Sequence, residues 1–196
     1  MINHIEGRLI EKTPAYAVID CGGVGYLLNI SLNTYAKIGQ SEKCKLYAQE
    51  MYMRDDLPRL YGFSELAERE LFRQLVSVTG VGGTSAIMML SSLSADEISE
   101  AILTGNIAVL KSIKGIGEKT AQRIVIDLKG KIGKNELLLG NLVSSNNTMR
   151  EEALSALVML GFVKNTAEKA LDRVLKMEAA NIISVEQLIK LALKNL

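Results

Sequence analysis

The chain has 196 residues, 48% of them hydrophobic, and a formal net charge of +1. That length favours two or three small domains over one, and near-neutrality means that any nucleic-acid surface must come from charge segregated onto one face. One histidine (His4) and two cysteines (Cys21 and Cys44) without metal-ligand spacing leave almost no support for a metal hydrolase or a triad enzyme.

Cys21 and Cys44 lie in strand-like surroundings and read as small buried hydrophobes. The chain contains no Gly-x-x-x-x-Gly-Lys-Ser/Thr loop, so no ATP hydrolysis of its own is expected, nor any cofactor or bound metal. Its start, Met1 to Glu6, has no basic and apolar leader pattern, and no stretch approaches the ~20 apolar residues of a membrane span. A cytoplasmic location follows as an expectation.

Residues 1–63 read as β. Ile5 to Lys12, Ala15 to Asp20 and Gly25 to Ile30 are short β-rich runs separated by Thr13-Pro14 and Gly22-Gly23 turns, and Lys43 to Met53 and Arg59 to Phe63 add two more. Five such strands fit a small barrel of the oligonucleotide-binding (OB) type, though the spacing fits other small barrels too. Between the last two strands, Arg54-Asp55-Asp56-Leu57-Pro58 forms an acidic tip. Asp is a common turn residue, and a solvated turn is the plainer reading; on a DNA-binding protein the paired carboxylates would instead repel phosphates.

Residues 64–134 read as helical and carry an internal repeat. Ser64 is expected to cap the first helix, and Ser94-Ala95-Asp96-Glu97 to open another. Leu75 to Ala86 returns as Leu110 to Ala121 at an offset of 35 residues, each copy a helical run, a Gly-aliphatic-Gly turn and a new helical run. Gly80 and Gly115 permit a positive φ, Val81 and Ile116 anchor the turns, and Gly82 and Gly117 lack the Cβ that would block approach to the next helix's N-terminus.

Free backbone N–H groups, the helix dipole and the hydroxyls of Thr84, Ser85 and Thr120 would then converge on one point, which suits a phosphate read without sequence preference. Between Lys111 and Lys134, seven basic residues (Lys111, Lys114, Lys119, Arg123, Lys129, Lys131, Lys134) face only Glu118 and Asp127. The second copy is therefore basic, whereas Glu65 to Leu110 is net acidic.

Residues 135–148 end in a Ser/Asn-rich run and are expected to be a linker, although Leu137-Leu138-Leu139 is unusual for one and could extend the preceding helix. Residues 149–196 hold three helical patterns, with capping-box pairs at Asn165/Glu168 and Ser184/Gln187. Leu157, Leu160, Gly161 and Phe162 read as core or as an exposed partner patch, core being the plainer reading. The expected architecture is α+β and multidomain: an OB-type barrel, an all-α tandem helix-hairpin-helix domain and a C-terminal three-helix module.

Taken with Cys21 to Tyr26, Arg54-Asp55-Asp56, Leu60 to Phe63, the two hairpins and Ala153 to Phe162, this order closely resembles the RuvA family of Holliday-junction-binding subunits, over essentially the whole length. The resemblance implies a homotetramer or an octamer of two stacked tetramers that holds a four-way DNA junction open and flat. DNA would be bound by Gly80, Val81, Gly82, Thr84, Ser85, Lys114, Gly115, Ile116, Gly117, Lys119, Thr120 and Arg123, with Asp55 and Asp56 as an acidic pin at the crossover.

It further implies that the C-terminal module, through Leu157, Leu160, Gly161 and Phe162, recruits the hexameric ATPase RuvB, which consumes the ATP and Mg²⁺, and that the resolvase RuvC is a further partner in recombination, repair and the SOS response. Two positions depart from the family pattern: Gly83-Thr84 stands where Pro-Lys is common, and Glu118 where a second Lys is common. The alternatives are a structure-specific nuclease or lyase, for which Asp20, Asp55 and Asp56 are the only candidate carboxylates, and a protein-only adaptor.

Overall fold

A computed structural model describes residues 1–39, 42–52, 57–140, 145–178 and 184–196, without the side chains of 133–140, 145–148 and 177–178. It comprises two compact units, Met1–Lys134 and Asn135–Leu196.

The first unit opens with strands β1 (His4–Lys12), β2 (Tyr16–Cys21), β3 (Val24–Ile30), β4 (Lys43–Met51) and β5 (Arg59–Phe63). They close in the order β1-β2-β3-β5-β4, with β4 antiparallel to β1 and β5 parallel to β3, the OB-type arrangement. Strand alternation fills the barrel: Ala17 and Ile19, Leu28 and Ile30, and Leu46 and Ala48 point inward and are buried, while Leu27, next to Leu28, faces out. Cys44 is buried in this core and Cys21 is partly buried against it.

A short helix that sequence periodicity does not disclose, α1 (Leu32–Lys37), joins β3 to β4. Six residues are too few to show an apolar period, but its start is encoded by Ser31, whose Oγ accepts the Thr34 backbone N–H at 2.9 Å.

Helix α2 (Leu66–Val76) attaches the helical part to the barrel. Ser64 does not cap it: Glu65 holds that position without a side-chain cap bond, and the Ser64 hydroxyl is buried without a hydrogen-bond partner. The tie runs through Glu68 instead, whose buried carboxylate accepts the hydroxyls of Ser31 and, at 2.6 Å, Thr34. Arg69, also buried, donates to the Asn3 carbonyl at 3.0 Å and to its side-chain oxygen at 2.6 Å. Phe72 stacks at an angle on Tyr61 and Phe63 of β5 with ring centroids 4.8 and 5.0 Å apart, each pair contributing about 0.5–1.5 kcal/mol beyond burial. The acidic excess seen in this stretch of sequence is thus partly consumed inside the unit.

Helices α3 (Gly83–Ser92), α4 (Ala95–Thr104), α5 (Ile107–Lys111) and α6 (Glu118–Gly140) complete this part. Ser94 and Glu97 form the expected capping box, and Asn106 caps α5. Helix α6 continues to Gly140, so Leu137 to Leu139 extend a helix rather than begin a linker; residues 141–144 lie outside the described residues.

The second unit contains α7 (Ser145–Met159), α8 (Lys164–Glu178) and α9 (Val185–Leu193). Ala153 and Leu157 of α7, Ala167, Leu171 and Val174 of α8, and Leu188 and Ala192 of α9 form its core. Ser184 caps α9 through the Gln187 N–H at 3.3 Å. Asn165 does not cap α8, because the first helical carbonyl belongs to Val163, which accepts from Thr166 and Ala167 at 3.0 Å. No helix among the described residues is long and apolar enough to cross a membrane.

Candidate nucleic-acid interface

The repeat in the sequence is also a repeat of hydrogen bonds. In the first hairpin, between α2 and α3, Ser77 N–H donates to Arg73 O and Gln74 O, Val81 N–H donates to Val78 O at 3.0 Å, and Ala86 N–H donates to Gly82 O at 2.9 Å. In the second, between α5 and α6, Ser112 N–H donates to Ala108 O and Val109 O, Ile116 N–H to Ile113 O at 3.1 Å, and Ala121 N–H to Gly117 O at 2.9 Å. The apolar anchors match as well: Leu75 and Leu110, Val78 and Ile113, Val81 and Ile116, and Ala86 and Ala121 are all buried in one shared core.

Two of the four turn glycines are required by the backbone. Gly80 has φ +94° and Gly115 has φ +89°, where an L side chain is strained. Gly82 is different, with φ −93° and ψ 172°, which any residue adopts; φ at Gly117 is likewise not positive. A Cβ built on Gly82 or Gly117 would meet nothing within 4 Å apart from its own chain neighbours. The space that these two glycines leave empty therefore opens outward and is not taken up by a neighbouring helix.

Both bare glycines sit at helix starts, their carbonyls accepting the first helical bond. The leading N–H groups of each helix, from Gly83, Thr84 and Ser85 and from Glu118, Lys119 and Thr120, have no intrahelical partner by the geometry of any α-helix. Glycine has no side chain with which to cap them, and α3 has no side-chain cap bond. Each hairpin thus presents converging donors and a positive dipole end at an unobstructed surface.

The charges around the two turns differ. Lys114 and Lys119 are exposed beside the second. Lys111, counted from sequence among its cations, instead donates to Glu118 Oε2 at 2.6 Å, and that hydrogen bond with the accompanying charge holds the Glu118 carboxyl below its usual range. Arg123, on α6, reaches back to the first turn and donates to the Thr79 carbonyl at 3.4 Å, bridging the hairpins.

Around the first turn, Thr84 is exposed and Ser85 half-buried, with no cation in the turn itself. Gly83 has a local reason: a Cβ there would lie 2.3 Å from the Tyr61 hydroxyl oxygen, so a larger residue would require the Tyr61 ring or the helix start to shift. That contact was not legible in the sequence, and it ties the first hairpin directly to β5.

Asp55 and Asp56 lie outside the described residues. Asp20 is committed to structure, pairing with Arg8 at 3.3 Å and accepting the Gly23 N–H at 2.8 Å in the β2–β3 turn. Among the described residues no group of three or more His, Cys, Asp or Glu could hold a metal ion.

In the second unit the expected partner patch divides. Leu157 is fully buried and belongs to the core, whereas Leu160 and Phe162 are exposed around Gly161, a positive-φ turn at +97°. Met159 and Val163, which the sequence reading passed over, are more exposed still, at 86% and 70%. Their adjacency to the helix-ending glycine was the available signal.

Residues 1–62 match the family model described as RuvA N terminal domain, 72–130 the SAM-like helix-hairpin-helix tandem, and 148–196 the RuvA C-terminal domain. The chain is 48% identical to the Holliday junction branch migration complex subunit RuvA of Christiangramia forsetii, 47% to that of Flavobacterium psychrophilum and 48% to that of Bacteroides fragilis. Each match covers 100% of both chains.

Proposed function

The chain belongs to the RuvA family, and from that membership together with the two bare hairpin turns we propose that it binds four-way DNA junctions without sequence preference as the DNA-binding subunit of a branch-migration complex. The observation that carries this reading is that Gly82 and Gly117 are required neither by backbone conformation nor by packing within the chain. A position kept free of a side chain at an uncapped helix start suits a ligand that comes up against the backbone, and a phosphate is the group that accepts from several N–H donors at once. Binding through phosphates positions the DNA but does not read base edges.

In this reading Gly80, Val81 and Gly82 with Thr84 and Ser85, and Lys114 through Gly117 with Lys119, Thr120 and Arg123, hold the arms of the junction in a homotetramer or octamer. Asp55 and Asp56 stand at the crossover, where their charge keeps phosphates apart. Leu160 and Phe162, joined by Met159 and Val163, present the apolar surface that recruits a hexameric ATPase of the RuvB type, which supplies the ATP hydrolysis. The chain itself contributes no catalytic group.

The test exchanges both glycines for serine. A Gly82→Ser/Gly117→Ser variant places a hydroxyl where it can cap each helix, which should leave folding intact or a few tenths of a kcal/mol more stable. The same hydroxyls take donors away from the phosphate, so affinity for a labelled four-way junction should fall by on the order of 100-fold. Undiminished junction affinity in the folded variant would overturn the reading.

A further inference from the structure

Tyr61 of β5 is only 2% exposed, and its ring is held against Phe72 with centroids 4.8 Å apart. That packing fixes where its hydroxyl points. The hydroxyl reaches the start of α3 and lies against the space that a side chain on Gly83 would fill. Among the described residues it makes no hydrogen bond. The hydroxyl of a buried tyrosine is ordinarily paired, so this one is held in place without the partner it would normally have.

Tyr61 also reaches the wall of a cavity of about 340 Å³ between the barrel and α3, lined further by Leu32, Arg59, Thr84, Ile87 and Met88. Thr84 is the second residue of α3, so the cavity adjoins a helix start that has no side-chain cap bond. A group that carries negative charge and accepts from several donors at once fits such a place. The phosphate assigned to this turn is such a group, and the cavity leaves room for the sugar attached to it. The second hairpin has no equivalent: Glu118 stands where the repeat has Gly83, and its carboxylate is bonded to Lys111.

We propose that the Tyr61 hydroxyl donates a hydrogen bond to the phosphate bound at the first hairpin, so that the barrel supplies a neutral donor at the turn that carries no cation. The role deepens the junction-binding reading above and rests on it.

Tyr61→Phe removes the oxygen and keeps the ring on Phe72. In the full-length protein its Tm should stay within about 2 °C of the wild-type value, because no bond within the fold is lost. Affinity for a labelled four-way junction should fall on the order of 10-fold, with the slope of log affinity against log salt unchanged, since a hydroxyl displaces no counterion. Added to Gly82→Ser, the substitution should cost less than about twofold more, because both act on one phosphate; added to Gly117→Ser it should cost about 10-fold again. Wild-type junction affinity in Tyr61→Phe, a Tm lowered beyond that margin, or equal costs on the two serine backgrounds would overturn the role of Tyr61 alone. A wild-type chain that fails to prefer junction over duplex would overturn the function on which that role rests.

Discussion

The two hairpins share a backbone and differ in everything around it. Each turns at a positive-φ glycine four residues past the end of a helix, buries one aliphatic anchor and opens the next helix at an unshielded glycine. The first is wedged against the barrel, with Gly83 beneath Tyr61 and the Thr79 carbonyl held by Arg123, and it carries no cation in its turn. The second carries Lys114 and Lys119 at its surface, with Glu118 neutralised by Lys111. What recurs is the donor geometry and what varies is the charge; in the proposed function the backbone donors would be the common element of binding and the lysines an addition at one site only.

If so, separating the two glycine substitutions should give unequal losses. Gly82→Ser should cost on the order of 30-fold in junction affinity, and Gly117→Ser about 10-fold, because Lys114 and Lys119 still hold the phosphate at the second turn. Equal losses in a binding titration would show that the lysines do not share the load.

Stability should respond to the other pair of glycines. Gly80→Ala and Gly115→Ala each force a side chain into positive φ, costing about 1–2 kcal/mol and lowering Tm by about 3–8 °C, to a similar extent because neither Cβ would meet a neighbour. Calorimetry of the two variants checks this. A large difference between them would mean that the surroundings, and not the shared turn, set the strain.

The sequence disclosed this arrangement unevenly. The repeat was legible because a Gly-x-Gly turn and its buried anchors recur at fixed spacing, and the five strands because each is bounded by turn residues. Helix α1 was hidden by its length, and Ser64 misled because a capping residue type does not reveal that Glu68, four residues on, is bonded to Ser31 and Thr34. Lys111 and Glu118 read as one cation and one anion of a diffuse patch, whereas they form a pair. Leu157 and Leu160 are both leucines near the end of one helix, and only the packing shows that one is core and the other surface. Long-range partners are what local pattern cannot supply. On the surface side of that division, Leu160→Ser/Phe162→Ser should abolish stimulation of an added RuvB-type ATPase while leaving junction affinity within about twofold, since the two surfaces proposed for these roles belong to separate units.

The lysines should act on salt dependence more than on affinity at a single condition. Lys114→Ala and Lys119→Ala should each flatten the slope of log affinity against log salt by about 0.9, one phosphate contact apiece, whereas Thr84→Ala in the first hairpin should leave the slope unchanged. Unchanged slopes in both lysine variants would mean that the cations lie off the DNA path.

The smallest effect is expected at the Lys111–Glu118 pair, and it separates charge from geometry most directly. Glu118 stands at the first position of α6, in the turn that the proposed function gives to a phosphate, and is held ionised by the Lys111 ammonium at 2.6 Å. Its folded pKa is depressed, so the pair stabilises the fold above the unfolded carboxylate pKa, and that contribution is lost as pH falls through the lower folded value. Ionised, it also repels an incoming phosphate. Glu118→Gln removes the repulsion and releases Lys111 toward the DNA, and should tighten junction binding about threefold at low salt, with the gain shrinking as screening increases. Lowering the pH into the range where Glu118 protonates should tighten the wild-type chain toward the Glu118→Gln value, and should leave the variant without that component. A titration of affinity against pH in which the two proteins run parallel would show that Glu118 faces away from the bound phosphate.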